Sequence, residues 1–168
     1  MKKINTKQVT LCAILTTLMF VMGIITNLIS IGTGKSIFQI SDVIFLALLN
    51  FLNPFTLVIS AILAGIGIDL FAASAIYIPI TIMVKVLITF TFIFLKRYIN
   101  TYINIFLSYL WIFIYVLYVY ILFDSSFAII EATTDAIQYF ANIFISIIIL
   151  FTLRKINFKE KIIDKYNL

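Results

Sequence analysis

Long apolar runs separated by short polar breaks are the main pattern of this chain. The stretches free of charge are 8–34, 43–68, 70–84, 86–95, 98–123 and 136–153. Inside them apolar residues follow one another without alternation. That is the pattern of membrane-crossing helices, which need about 20 such residues, and not of barrel strands, which alternate over about ten. Asn50, Asn53 and Pro54 interrupt the second run. Asn-Pro favours a turn because proline restricts the residue before it. The run is therefore read as two helices, the first only about 24 Å long. The spans predicted are 9–31, 37–52, 54–73, 78–96, 100–123 and 133–153, followed by a basic tail over 154–168. Loops at 32–36, 74–77 and 124–132 fall on one side of the bundle.

Charge supports six spans over five. Cytoplasmic ends of membrane helices collect Lys and Arg. With six spans, Lys2, Lys3, Lys7, Lys96, Arg97, Arg154, Lys155, Lys159, Lys161 and Lys165 share the cytoplasmic side with both termini, leaving Lys35 outside and Lys85 in the membrane. Five spans would move Lys96, Arg97 and the tail to the outer face. The expected fold is an all-α integral membrane bundle of six transmembrane helices, in the cell membrane.

Composition agrees. Of 168 residues, 64% are hydrophobic and 11% charged, whereas a soluble domain carries roughly 25% charged residues. In lipid, backbone polar groups must be satisfied internally, which helices do. No His and the single Cys12 make a transition-metal site or a disulfide improbable. The net charge of +5 lies at membrane boundaries and does not point to nucleic acid. Lys2, Lys3 and Lys7 precede an apolar run longer than a signal-peptide core of about 7–15 residues, so that run is read as the first membrane helix.

Charges within the spans are costly, and such groups usually face the bundle interior or a wet cavity. Asp42, Asp69 and Lys85 fall in the outer half of their helices, and Asp135 lies at the mouth of the last. Two readings stand together: an aspartate pairs with Lys85 and locks the bundle, or these groups line an outward pocket. Asp135, Gln138, Tyr139, Asn142 and Ser146 recur at three- and four-residue spacing, which places them on one helical face. Ser108, Trp111, Tyr115 and Tyr118 do likewise on the fifth helix. Tyr118 fits the interfacial belt. Trp111, near mid-depth, suits an aromatic wall for a flat heterocycle. Asp42, Lys85, Trp111, Tyr115, Asp135 and Asn142 are the candidate ligand contacts.

Gly32-Thr33-Gly34-Lys35-Ser36 has the look of a phosphate-binding loop but fails the pattern. The motif needs glycine where Ile29 stands, and a strand before it. The two glycines suit a flexible lid instead, formed by Gly32, Gly34 and Lys35 with Tyr77 from the next outer loop.

From Gln39 to Arg97 the sequence resembles the substrate-binding S components of energy-coupling factor (ECF) transporters, of the riboflavin-transporter-like group. The residues that carry the resemblance are Ile40-Ser41-Asp42-Val43, Asn53-Pro54, Ala64-Gly65-Ile66-Gly67-Ile68-Asp69-Leu70, and Tyr77-Ile78-Pro79-Ile80-Thr81 leading to Lys85. Asn53 stands where the group usually has glycine, and Val86 follows Lys85 where glycine is common. The resemblance implies a subunit without catalytic activity or cofactor. It would bind a vitamin or vitamin precursor outside the cell and work with a transmembrane coupling subunit and two cytosolic ATPases. It also implies that small residues on the first helix meet the coupling subunit. Cys12-x-x-x-Thr16 and Ala13-x-x-x-Thr17 supply such pairs, which permit close helix approach. The rival readings are a self-sufficient carrier or channel, a lipid-acting membrane enzyme, and a structural membrane subunit.

Overall fold

The computed structural model describes residues 6–30 and 39–158. All regular structure among them is helical: α1 (Thr6–Ser30), α2 (Ser41–Leu48), α3 (Pro54–Phe71), α4 (Ile78–Leu95), α5 (Thr101–Tyr109), α6 (Ile114–Leu122) and α7 (Ser125–Lys155). Short 3₁₀ segments precede α4 (Ala75–Tyr77) and join α5 to α6 (Leu110–Phe113). Among the described residues, five helical stretches are long and apolar enough to cross a membrane: Thr6–Leu28, Pro54–Phe71, Ala75–Leu95, Thr101–Leu122 and Ser125–Lys155.

Side chains at the helix starts fix several boundaries. Asn53 accepts a hydrogen bond from the Phe55 amide at 3.0 Å, and Pro54 opens α3, where its missing N–H costs nothing. Asn100 caps α5 through the Tyr102 amide. Asp124 caps α7 by accepting from the amides of Ser126 and Phe127 at 2.8 and 3.0 Å. The last cap corrects an expected boundary: the final helix begins at Ser125, not 133, and most of the supposed outer loop 124–132 is helix. At about 46 Å, α7 exceeds the roughly 30 Å hydrocarbon core, so its first turns have no need to be apolar.

The second helix also departs from expectation. It is regular only over Ser41–Leu48, about 12 Å, and relaxes through turn hydrogen bonds from Phe51 and Leu52 to Leu48. Residues 37 and 38 lie outside the described residues. Ser41, Asp42, Val43, Phe45, Leu46 and Ala47 are buried, with α7 and α1 against them, so protein rather than lipid surrounds this helix.

Contacts set the helix directions. Ser60 Oγ donates to the Cys12 carbonyl at 3.2 Å, and a Cβ on Gly23 would stand 2.1 Å from Ile68 Cδ1; α1 and α3 therefore run parallel and close. Gly65 brings α4 near in the same way, since a Cβ there would meet Thr81 Cγ2 at 2.6 Å. The core includes Phe45, Leu46, Leu49, Leu57, Ile88, Phe92 and Ile105. The outer surface is the inverse of a soluble protein's: Phe90, Phe94, Ile121, Phe140, Phe144 and Phe151 are exposed, while Asp42, Asp69, Lys85, Asn104, Gln138 and Asn142 are buried. This is a helical membrane protein with several crossings. Exposed Lys7, Lys96, Arg97, Arg154 and Lys155 share one end, where Arg154 donates to Thr101 Oγ1 at 2.9 Å.

Candidate functional site

At the opposite end, five elements meet around a cavity lined by Gln39, Asp42, Asp69, Tyr77, Tyr115, Glu131, Asp135 and Gln138. It encloses about 380 Å³ when measured out to its open mouth, of which about 20 Å³ admits the centre of a water molecule. The smaller figure corresponds to about one or two waters. Alternation of helix direction gathers these residues: the start of α2, the end of α3, the turn before α4 and the first turns of α7 lie at this end, and Tyr115 reaches the cavity from partway along the α5–α6 run.

Two hydrogen-bonded chains support the walls. In the first, Lys85 Nζ pairs with Asp42 Oδ1, while Asp42 Oδ2 accepts from Tyr109 OH at 2.9 Å. Tyr109 OH in turn accepts from Asn142 Nδ2 at 2.7 Å and from Gln138 Nε2 at 3.4 Å. Asn142 Nδ2 also donates to the Gln39 carbonyl, and the Gln39 amide donates to Gln138 Oε1. This chain ties α2, α4, α5 and α7 together. In the second, Tyr115 OH donates to Thr81 Oγ1 at 2.8 Å, and Thr81 Oγ1 donates to Asp69 Oδ2 at 2.7 Å. The close approach at Gly65 is what brings Thr81 to Asp69.

Aromatic rings complete the site. The Tyr77 ring lies 6.3 Å from that of Tyr115 and 6.2 Å from that of Tyr118. Tyr118 OH donates to the Ile76 carbonyl at 2.6 Å. Tyr118 thus holds the turn that carries Tyr77, more than the belt position expected of it. Beneath, Tyr109 stacks on Tyr139 at 5.8 Å with an interplanar angle of 7°. Two buried oxygens, Asp135 Oδ2 and Asn142 Oδ1, have no hydrogen-bond partner among the described residues.

Of the residues expected from sequence, Asp42, Tyr77, Tyr115 and Asp135 line the cavity. Lys85 and Asn142 stand one layer behind, Lys85 as partner of Asp42. Trp111 is a correction. It is 37% exposed on the outer surface and donates through Nε1 to Thr91 Oγ1 at 2.7 Å, away from the cavity. The 3₁₀ segment explains this: three-residue periodicity aligns Tyr109, Ile112, Tyr115 and Tyr118, not 108, 111, 115 and 118. Gly32, Gly34 and Lys35 lie outside the described residues.

The two small-residue pairs of α1 separate. Cys12 and Thr16 face α3: Ser60 Oγ donates to Cys12, and Thr16 Oγ1 approaches the Ser60 carbonyl at 3.5 Å. Ala13 and Thr17 are exposed, with Thr17 Oγ1 bonded back to the Ala13 carbonyl. Several wall residues were missing from the expected contacts. Glu131 falls in the expected outer loop 124–132, but it sits in α7 one helical turn before Asp135. Asp69, one of the intramembrane charges expected either to pair with Lys85 or to line a pocket, lines the cavity although it is not among the candidate ligand contacts, and Gln39 carries no signal of its own in the sequence. No family model, curated protein or solved structure matches the chain.

Proposed function

We propose that this chain is the substrate-binding membrane subunit, or S component, of an ECF-type importer for a vitamin or vitamin precursor. In this reading the chain crosses the cell membrane six times, with α2 as the short second pass and both termini in the cytoplasm. The cavity opens outward, opposite the basic end. A transmembrane coupling subunit and two cytosolic ATPases supply the driving force, and Ala13 and Thr17 offer the close-approach surface to the coupling subunit. One observation supports the reading: Asp42, Asp69 and Tyr77, which carry the ECF resemblance, line one cavity, and others of its residues stand directly behind it. Asp42 and Asp69 line it, Gly65 and Thr81 join α3 to α4 behind it, Lys85 holds Asp42, and Tyr77 forms its aromatic edge. The test is mass spectrometry of small molecules that co-purify with the detergent-solubilised protein. A stoichiometric ligand retained in Trp111→Ala and lost in Asp135→Asn is expected; a ligand held equally by both would remove the cavity from the mechanism.

A second reading, a self-sufficient carrier, draws on the four carboxylates around one cavity. Buried carboxylates are the groups by which membrane carriers couple substrate to protons or other cations. Reconstituting the chain alone in liposomes separates the two. Concentrative uptake driven by an ion gradient without other subunits would establish the carrier and end the ECF assignment.

A further inference from the structure

We propose that the cavity recognises a small organic cation, with Asp135 as its counter-charge and the rings of Tyr77 and Tyr115 against its apolar part. The inference rests on the reading that this cavity is the ligand site. It is independent of which subunits supply the energy.

The charge balance of the wall is lopsided. Among the described residues it carries Asp42, Asp69, Glu131 and Asp135, two glutamines and two tyrosines, with no basic side chain. Lys85 lies behind and is engaged by Asp42, whose second oxygen is taken by Tyr109. Asp69 is held by Thr81. Asp135 differs: its residue is 3% exposed, yet Oδ2 lacks a hydrogen-bond partner among the described residues. Removing a carboxylate from water without a donor or counter-charge is unfavourable, and a cation placed there offsets that cost. An anion placed there would meet the carboxyl groups of Asp69 and Asp135 with no basic side chain on the wall among the described residues.

The wall fits an organic cation better than a metal ion. No group of three or more acidic or sulfur side chains stands close enough to hold a metal among the described residues. The Tyr115 hydroxyl is already committed to Thr81, and Tyr77 packs its ring against those of Tyr115 and Tyr118. That leaves ring surface for the ligand, and aromatic faces attract ammonium, guanidinium and pyridinium groups. The glutamine amides of Gln39 and Gln138 add polar contacts that fix orientation.

The experiment is calorimetric titration of the full chain in phosphatidylcholine nanodiscs, with empty discs as blanks. Two matched pairs serve as probes: benzylammonium against benzyl alcohol, and guanidinium against urea. At least one cation is expected to bind saturably and about tenfold or more tighter than its neutral partner. Asp135→Asn should erase that preference, and Asp135→Glu should restore part of it, with thermal unfolding as the check on folding. Should Asp135→Asn not fold, the wild-type preference decides alone. Equal binding within each pair would overturn the cation assignment and leave the cavity as a ligand site. A preference undiminished in Asp135→Asn would overturn Asp135 as counter-charge. If no probe binds but a neutral or anionic molecule co-purifies in stoichiometric amount, the cation assignment falls and the importer reading stands. Neither probe binding nor a co-purified molecule would remove both.

Discussion

Lys85 and Asp42 show how one residue pair serves both packing and site. Both are buried, Lys85 also lies 5.6 Å from the Phe45 ring, and the pair anchors the chain through Tyr109 to α7. Removing one partner of a buried pair strands the other, which typically costs about 3–5 kcal/mol. Lys85→Met is therefore expected to lower unfolding stability by about that amount. Adding Asp42→Asn should recover more than half of it, because asparagine removes the charge but keeps an acceptor for Tyr109. Denaturant-induced unfolding in mixed micelles, followed by circular dichroism, checks this; a double variant less stable than Lys85→Met would refute the pair as the source of the loss. The sequence pointed to these groups because charge inside a membrane is rare and demands a partner. It could not say whether Asp42 or Asp69 would be that partner, since the answer depends on Gly65 holding Thr81 against Asp69 and leaving Asp42 to Lys85.

At the scale of elements, apolar runs made the long helices legible, and the misses have local causes. Nothing in Leu110–Phe113 is glycine or proline, so the tightening there left no mark in the sequence, and Trp111 was assigned to the wrong face. For α7 the signal was present: Asp124 is a good cap, and Glu131, Asp135, Gln138 and Asn142 continue one helical face. Apolar patterning does not show it, because a helix projecting beyond the lipid does not need an apolar start. Asp124→Ala should cost about 1 kcal/mol, the usual value of an N-cap. Hydrogen exchange should quicken over 125–131 while amides from about Tyr139 onward stay protected. Unchanged exchange in the first turns would show that packing, not the cap, holds them. If the cap matters, probe binding should weaken with it, because Glu131 and Asp135 ride on those turns.

For the whole molecule the governing feature is polarity of charge along the membrane normal. Among the described residues, carboxylates gather at the cavity end and exposed basic residues at the other. Cationic ends remain in the cytoplasm during insertion, which argues that the cavity opens outside. The prediction can be read directly after Cys12→Ser removes the native thiol. A single cysteine at Ala75→Cys, exposed at the cavity end, should react with a membrane-impermeant maleimide in intact cells. Tyr98→Cys, 72% exposed at the basic end, should react only after permeabilisation. The reverse pattern would place the cavity in the cytoplasm and rule out capture of a ligand from outside. Labelling of both in intact cells would break the alternation of helices on which the whole arrangement rests. If Ala75→Cys labels from outside and benzylammonium slows its reaction while benzyl alcohol does not, orientation and charge selectivity meet at one site. Protection that disappears in Asp135→Asn would then tie both to the carboxylate whose Oδ2 has no hydrogen-bond partner among the described residues.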